Sequence, residues 1–150
     1  MNPPAHPKIE IRRADGLSDR ERAELLRLRD QLDVGPPVLS YQLAPKSWRV
    51  LVWDGDRLVS SVGVLERTIT VAGQPIRVGG IGSVGTDPSY RGRGLATDAM
   101  TAAMTFVCGE LGAASGFLLC REHVAGFYAR LSWSRVAAPV VFEQPDGKVI

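Results

Sequence analysis

The residues best suited to chemistry form the run Arg91-Gly92-Arg93-Gly94-Leu95-Ala96, between a glycine-rich apolar stretch and a long amphipathic one. Gly92 and Gly94 let the backbone take positive φ angles and remove side chains that would block a ligand. Successive N–H groups in such a turn converge on a concave anion site. A helix opening through Leu95, Ala96 and Thr97 adds unpaired N–H groups and the positive end of its dipole. Arg91 and Arg93 add charge. A pyrophosphate is the natural guest. An ordinary strand-to-helix connection could use two glycines, but arginine on both sides of Gly92 argues for the ligand.

Two elements must hold this turn. Downstream, Ala96, Ala99, Met100, Ala103, Met104 and Val107 recur at i, i+3, i+4, i+7, i+8 and i+11, the stripe of an amphipathic helix. Gly109 and Gly112 bracket its end. Upstream, Ile76 to Thr86 reads as a strand with glycine at 79, 80, 82 and 85. Glycine in a strand marks a bulge or a close backbone approach. Gly80 to Gly85 also has the spacing of a dinucleotide fingerprint. That motif must open a helix, and here Asp87-Pro88 follows, so this reading is rejected.

The rest of the chain supplies a frame. Lys8 to Arg13 alternates like an edge strand. Ser18-Asp19-Arg20-Glu21 is a capping box, and Leu25, Leu28 and Leu32 share the face of a helix ending near Asp33. Residues 34–47 read as a long loop and a candidate wall of the substrate site. Trp48 to Trp53 and Leu58 to Val71 are strands joined at Asp54-Gly55-Asp56, and Ala72-Gly73-Gln74-Pro75 is a second turn. Ser115 to Cys120 reads as a buried strand, His123 to Leu131 as a short helix and Val136 to Glu143 as a last strand. Hairpins followed by a strand–helix–strand crossover predict an α/β (α+β) fold with a mixed sheet.

Composition limits the function. The 150 residues suit one domain over 1–150, with a flexible lead-in over 1–7. The balance of 45% apolar and 23% charged residues is that of an ordinary globular protein. A net charge of +2, with no aromatic platform among the basic residues, argues against nucleic acid. Arginine far outnumbers lysine, which favours anionic ligands. Cys108 and Cys120 lack metal or redox spacing and read as buried thiols in a reducing compartment; no metal is expected. Without a signal-like N-terminus or an apolar run near the roughly 20 residues a bilayer needs, a cytoplasmic protein without membrane contact is expected. The first and last strands could pair between copies, which points to a homodimer.

Val84-Gly85-Thr86-Asp87-Pro88-Ser89-Tyr90-Arg91-Gly92-Arg93-Gly94-Leu95-Ala96 resembles the acetyl-CoA motif of the GNAT superfamily of N-acetyltransferases. Arg91, Gly94 and Ala96 fill its core positions. Phe127-Tyr128-Ala129-Arg130-Leu131-Ser132-Trp133 resembles the family's second motif, with Ser132 where glycine is usual. The stretch from Leu118 through Tyr128 and Trp133 to Pro145 is also similar to a branch containing aminoglycoside 2'-N-acetyltransferases and nodulation acyltransferases. An aminoglycoside site should be acidic, and no acid-rich stretch occurs.

The resemblance implies a splayed sheet flanked by helices, with acyl-CoA bound at the strand–turn–helix. Arg91, Gly92, Arg93, Gly94, Leu95, Ala96 and Thr97 would hold the pyrophosphate. Val84, Gly85 and Thr86 would pair with the pantetheine arm as an added strand does. A backbone N–H near Val84 or Gly85 would meet the developing oxyanion. Tyr128 would protonate the leaving thiolate. The acceptor would be a primary amine, on a small molecule or a peptide. A base must keep that amine neutral, since a lysine-like amine has a pKa of about 10.4. Many relatives place a glutamate on the strand before the turn, where this chain has Gly82. Glu66, Glu122, His123 or a chain of waters remain. A module that holds acetyl-CoA without turnover is the competing reading.

Overall fold

The turns dictate the topology. Asp54-Gly55-Asp56 and Ala72-Gly73 are too short to connect anything but antiparallel neighbours, while a helix long enough to cross the sheet permits a parallel return. A computed structural model of the protein describes residues 7–32, 44–144, 146, 147 and 149. Its elements run β1 (Lys8–Arg13), α1 (Asp19–Asp30), β2 (Trp48–Asp54), β3 (Arg57–Val71), β4 (Gln74–Thr86), α2 (Leu95–Gly109), β5 (Ser115–Leu118) and α3 (Ala125–Arg130). The sheet order is β1-β2-β3-β4-β5. The first four strands pair antiparallel, and β5 returns through α2 to lie parallel to β4. The mixed sheet with flanking helices is the architecture the sequence predicts.

The chain divides into two compact units. The first comprises Met1–Asp33 and Lys46–Leu119, the second Val34–Pro45 and Cys120–Ile150. The first unit carries the sheet, α1 and α2, and it is packed on both faces. On one face, Trp48 pairs with Val64 and Val50 with Val62. Phe106 of α2 meets Trp48 edge to face, with ring centroids 5.5 Å apart. The α2 stripe is buried at Leu95, Ala99, Met100, Ala103 and Val107. Gly79 makes this approach possible, because a Cβ there would overlap the Val107 side chain. On the other face, Leu17 and Leu28 close over Leu51, Trp53 and Leu58, with Leu25 packed alongside. Each large apolar side chain so buried contributes about 1.5–3 kcal/mol.

The α1 start follows its capping box. Ser18 Oγ accepts from Glu21 N–H at 3.1 Å, and Ser18 N–H donates to Glu21 Oε1 at 2.8 Å. The helix ends at Asp30, ahead of the expected Asp33. Leu32 still serves the core from beyond the helix, because its Cδ1 fills the space a Gly85 side chain would take. The proposed wall over 34–47 falls mostly outside the described residues, as does the lead-in over 1–7 apart from Pro7.

Three expectations are corrected, the first being the buried strand over Ser115 to Cys120, since β5 stops at Leu118 and is at most partly buried. Val136 to Glu143 is not a strand, and only an isolated bridge joins Glu143 to Val149. Pro139 has no N–H to give a ladder, and Val136, Val140 and Val141 are exposed rather than alternating inward. Both thiols are exposed rather than buried. Cys108 follows Val107 on α2, just off the buried stripe, and Cys120 lies beyond the end of β5. Among the described residues, no helix is long and apolar enough to cross a membrane.

The Gly79–Val107 contact gives a direct test of the packing. Gly79→Ala should lower stability by about 1–3 kcal/mol in urea unfolding, the usual cost of overpacking. Adding Val107→Ala should give a combined loss smaller than the sum of the two single losses, because the second change makes room for the first.

Candidate functional site

The site begins where β4 stops being an ordinary strand. Ser61 pairs with Gly85 and Gly63 with Gly82, so Ser83 and Val84 together stand opposite Val62. This is a β-bulge, and Ser83 takes a φ of +51° within it. On the other side, β5 pairs with β4 only from Val78 to Ile81. From Gly82 to Thr86, therefore, β4 has no strand partner on that side among the described residues. Val84, Gly85 and Thr86 fall within this open edge.

The strand ends on an anchor. Asp87 is 1% exposed. Its carboxylate accepts from Arg57 Nη2 at 2.7 Å, Arg57 Nε at 3.1 Å and Ser89 N–H at 2.9 Å, and Arg27 stands 3.5 Å away. Arg27 also donates to Glu24 and to the Leu58 carbonyl, while Glu24 accepts from Leu58 N–H. Burial alone would push the Asp87 carboxyl up. The Ser89 N–H and the two guanidinium groups outweigh it and hold the carboxyl below its ordinary range. The network ties α1, β3 and the end of β4 to the 3-10 turn Pro88–Tyr90. The Tyr90 hydroxyl pins that turn from the other side by donating to Asp54 at 2.6 Å.

The glycine turn grows from this anchor. Gly92 and Gly94 have φ values of +78° and +77°. Gly94 is the N-cap of α2, and no side chain caps it. Its carbonyl accepts from Asp98 N–H at 3.0 Å, which closes the first helical bond. A Cβ built on Gly92 or Gly94 would meet nothing within 4 Å. The space over the turn is open, and the first N–H groups of α2 lack a side-chain acceptor there, which fits a pyrophosphate. Leu95 is buried and fixes the helix start to the core. Arg91 is exposed. Arg93 stacks over the Tyr90 ring at 4.7 Å and donates to the Ser89 carbonyl at 3.4 Å. Arg93 therefore braces the turn in addition to charging it.

Tyr128 lies in the second unit. It is half-buried, with the Phe127 and Trp133 rings at 5.0 and 6.3 Å. Burial, then charge on Cys120, pushes its phenol pKa above the ordinary value. After α3, Ser132 N–H donates to the Ala129 carbonyl and Trp133 N–H to that of Tyr128. This is the helix ending that glycine usually makes. Ser132 makes it at a φ of +70°.

Both glutamates among the side-chain base candidates are engaged in ion pairs. Glu66 accepts from Arg77 at 2.7 Å, and Glu122 from Arg135 at 2.6 Å. His123 is exposed on the 3-10 turn before α3. What lies over Gly82 is the end of the Lys46 side chain. Sequence reasoning missed this residue and the Asp87 network. Asp87-Pro88 carried a signal for the latter, since an Asx side chain ahead of proline commonly caps the next turn. Nothing in the sequence marked Lys46. Among the described residues, no three His, Cys, Asp or Glu side chains gather as a metal site would require.

Because Asp87 positions the turn through a buried charge, Asp87→Asn should cost about 3 kcal/mol in urea unfolding at neutral pH. A depressed carboxyl stabilises the fold above its unfolded pKa of about 3.9, and that contribution fades as pH falls through the lower folded value. The gap between wild type and Asp87→Asn should therefore narrow below about pH 4.

Comparison with known proteins agrees with this geometry. Residues 37–136 match the family model described as an acetyltransferase (GNAT) domain. Glucosamine-6-phosphate N-acetyltransferase from Arabidopsis thaliana superposes with a TM-score of 0.64 at 18% identity, covering 89% of this chain and 96% of its own. An acyl-CoA N-acyltransferase from Pseudomonas aeruginosa gives 0.67 at 21% identity, over 89% and 92%. Aminoglycoside N-acetyltransferase AAC(6')-Iy in complex with CoA gives 0.64 at 15% identity, over 95% and 98%. At these identities the structures speak for the fold alone. No curated protein matches in sequence. The family match, which spans most of the chain, makes this protein a member of the GNAT acetyltransferases, enzymes that take their acetyl group from acetyl-CoA.

Proposed function

We propose that the protein is an N-acetyltransferase that moves the acetyl group of acetyl-CoA to a primary amine by direct attack in a ternary complex. The observation that carries this reading is the open, uncapped N-terminus of α2, entered through Gly92 and Gly94 with left-handed backbone. Arg91 to Thr97 hold the pyrophosphate there. Val84, Gly85 and Thr86 offer the backbone edge of β4 to the pantetheine arm, and an N–H near Val84 or Gly85 takes the charge developing on the thioester oxygen. Tyr128 delivers the proton to the departing sulfur. Support for that role comes from its burial, which keeps the phenol protonated at neutral pH. The ion pairs of Glu66 and Glu122 favour His123 or a chain of waters for removing the amine's proton.

Calorimetric titration with acetyl-CoA tests the cofactor site. Micromolar binding is expected, and it should be lost in Gly94→Trp, which puts bulk and the wrong backbone preference into the turn. Absence of binding to folded wild type would remove the acetyltransferase reading. Free thiol released on adding amines then tests turnover. Binding with no thiol release for any amine would favour a module that holds acetyl-CoA without turnover. Tyr128→Phe should cut turnover by about 10²-fold, the scale of one general acid, with nearly unchanged acetyl-CoA affinity. Steady turnover would remove Tyr128 from the mechanism.

A further inference from the structure

Two paired glycines make a passage for one lysine. Gly63 on β3 stands opposite Gly82 on β4. A Cβ at Gly63 would lie 2.5 Å from Lys46 Cγ, and one at Gly82 would lie 2.8 Å from Lys46 Cε and 3.2 Å from Nζ. A larger residue at either place would displace the lysine stem. The stem thus crosses β3 and delivers its amine over Gly82, the residue directly before the Ser83–Val84 bulge. Arg49, which pairs with Gly63, and Arg67 both bring positive charge to bear on this amine. Burial first, then these two charges, pushes the Lys46 ammonium below the ordinary lysine range. More of it is therefore the neutral amine at a given pH than for a solvated lysine.

We propose that Lys46 is an internal acceptor, acetylated at Nζ by acetyl-CoA held in the chain's own site. The inference rests on the proposed function, which puts the thioester beside the bulge at Val84 and Gly85. The Nζ lone pair attacks the thioester carbonyl carbon, so the N–C bond forms and the C–S bond breaks. The sulfur leaves with the bond's electron pair, and the nitrogen gives up one proton as the thiolate takes one. The products are a neutral Lys46 amide and free CoA. Acetylation removes one of three neighbouring positive charges from this face of the sheet.

The chain has three lysines, Lys8, Lys46 and Lys148, so the product can be located without ambiguity. Lys8 sits on the edge strand β1, paired with Glu10 at 2.6 Å, and serves as an internal reference. The full-length protein, first stripped of any prior acetylation by a lysine deacetylase, is incubated with acetyl-CoA and digested. Acetyl incorporation is then followed by mass spectrometry, with and without excess desulfo-CoA. Incorporation at Lys46 at least tenfold faster than at Lys8, suppressed by desulfo-CoA, is the expected result. Equal rates at the two lysines, or Lys46 labelling indifferent to desulfo-CoA, would mean ordinary solution acylation and overturn the proposal. Lys46→Arg should bind acetyl-CoA and lose the fast label. Calorimetry on the same samples separates the two claims. Binding without fast Lys46 labelling refutes the internal acceptor and leaves the proposed function standing, whereas no binding removes both.

Discussion

A carboxylate shut away from water is tolerable only while its partners remain, and Asp87 holds the end of β4 on that condition. Arg57 reaches it from β3 and Arg27 from α1, while the Ser89 N–H belongs to the turn that follows. The charge therefore couples three elements to the point where the chain leaves the sheet. The glycine turn and the start of α2 inherit their position from there. The 3-10 turn is fixed, Arg93 stacks on a Tyr90 already tied to Asp54, and Gly94 opens α2 where Leu95 can enter the core.

The second constraint is that β4 serves different neighbours along its length. From Val78 to Ile81 it is an interior strand, paired on both sides. From Gly82 on, among the described residues, it is paired on one side only. Glycine suits both halves, for different reasons. At Gly79 it admits the α2 stripe on one face, and at Gly82 and Gly85 it admits Lys46 and Leu32 on the other. The glycines that weaken the strand's own propensity are places where other elements come close.

This explains what was legible in the sequence. The capping box, the α2 stripe and the glycine turn are local codes, set by spacing within one element, and each reads through to the structure. The order of strands follows from hairpin turns and one crossover, which are also local. Val136 to Glu143 misled because apolar content suggested a strand where Pro139 and outward-facing valines do not sustain one. Lys46 and the Asp87 network stayed hidden because each depends on residues tens of positions apart meeting across strands. A strand's periodicity gives the face a residue takes. It does not give the neighbour across the sheet, so it did not reveal that Gly63 and Gly82 would stand together.

The described ion pairs draw largely on arginine, at Arg57 with Asp87, Arg27 with Glu24, Arg77 with Glu66, Arg20 with Asp56 and Arg135 with Glu122. A guanidinium stays protonated at any physiological pH and has no free electron pair to offer a thioester. An ammonium loses its proton far more readily, and once acylated it can no longer carry charge. A fold that works beside an activated acyl donor is exposed to slow erosion of every lysine-based contact. Built on arginine, this framework is chemically deaf to its own cosubstrate, and its charges persist however long acetyl-CoA is present.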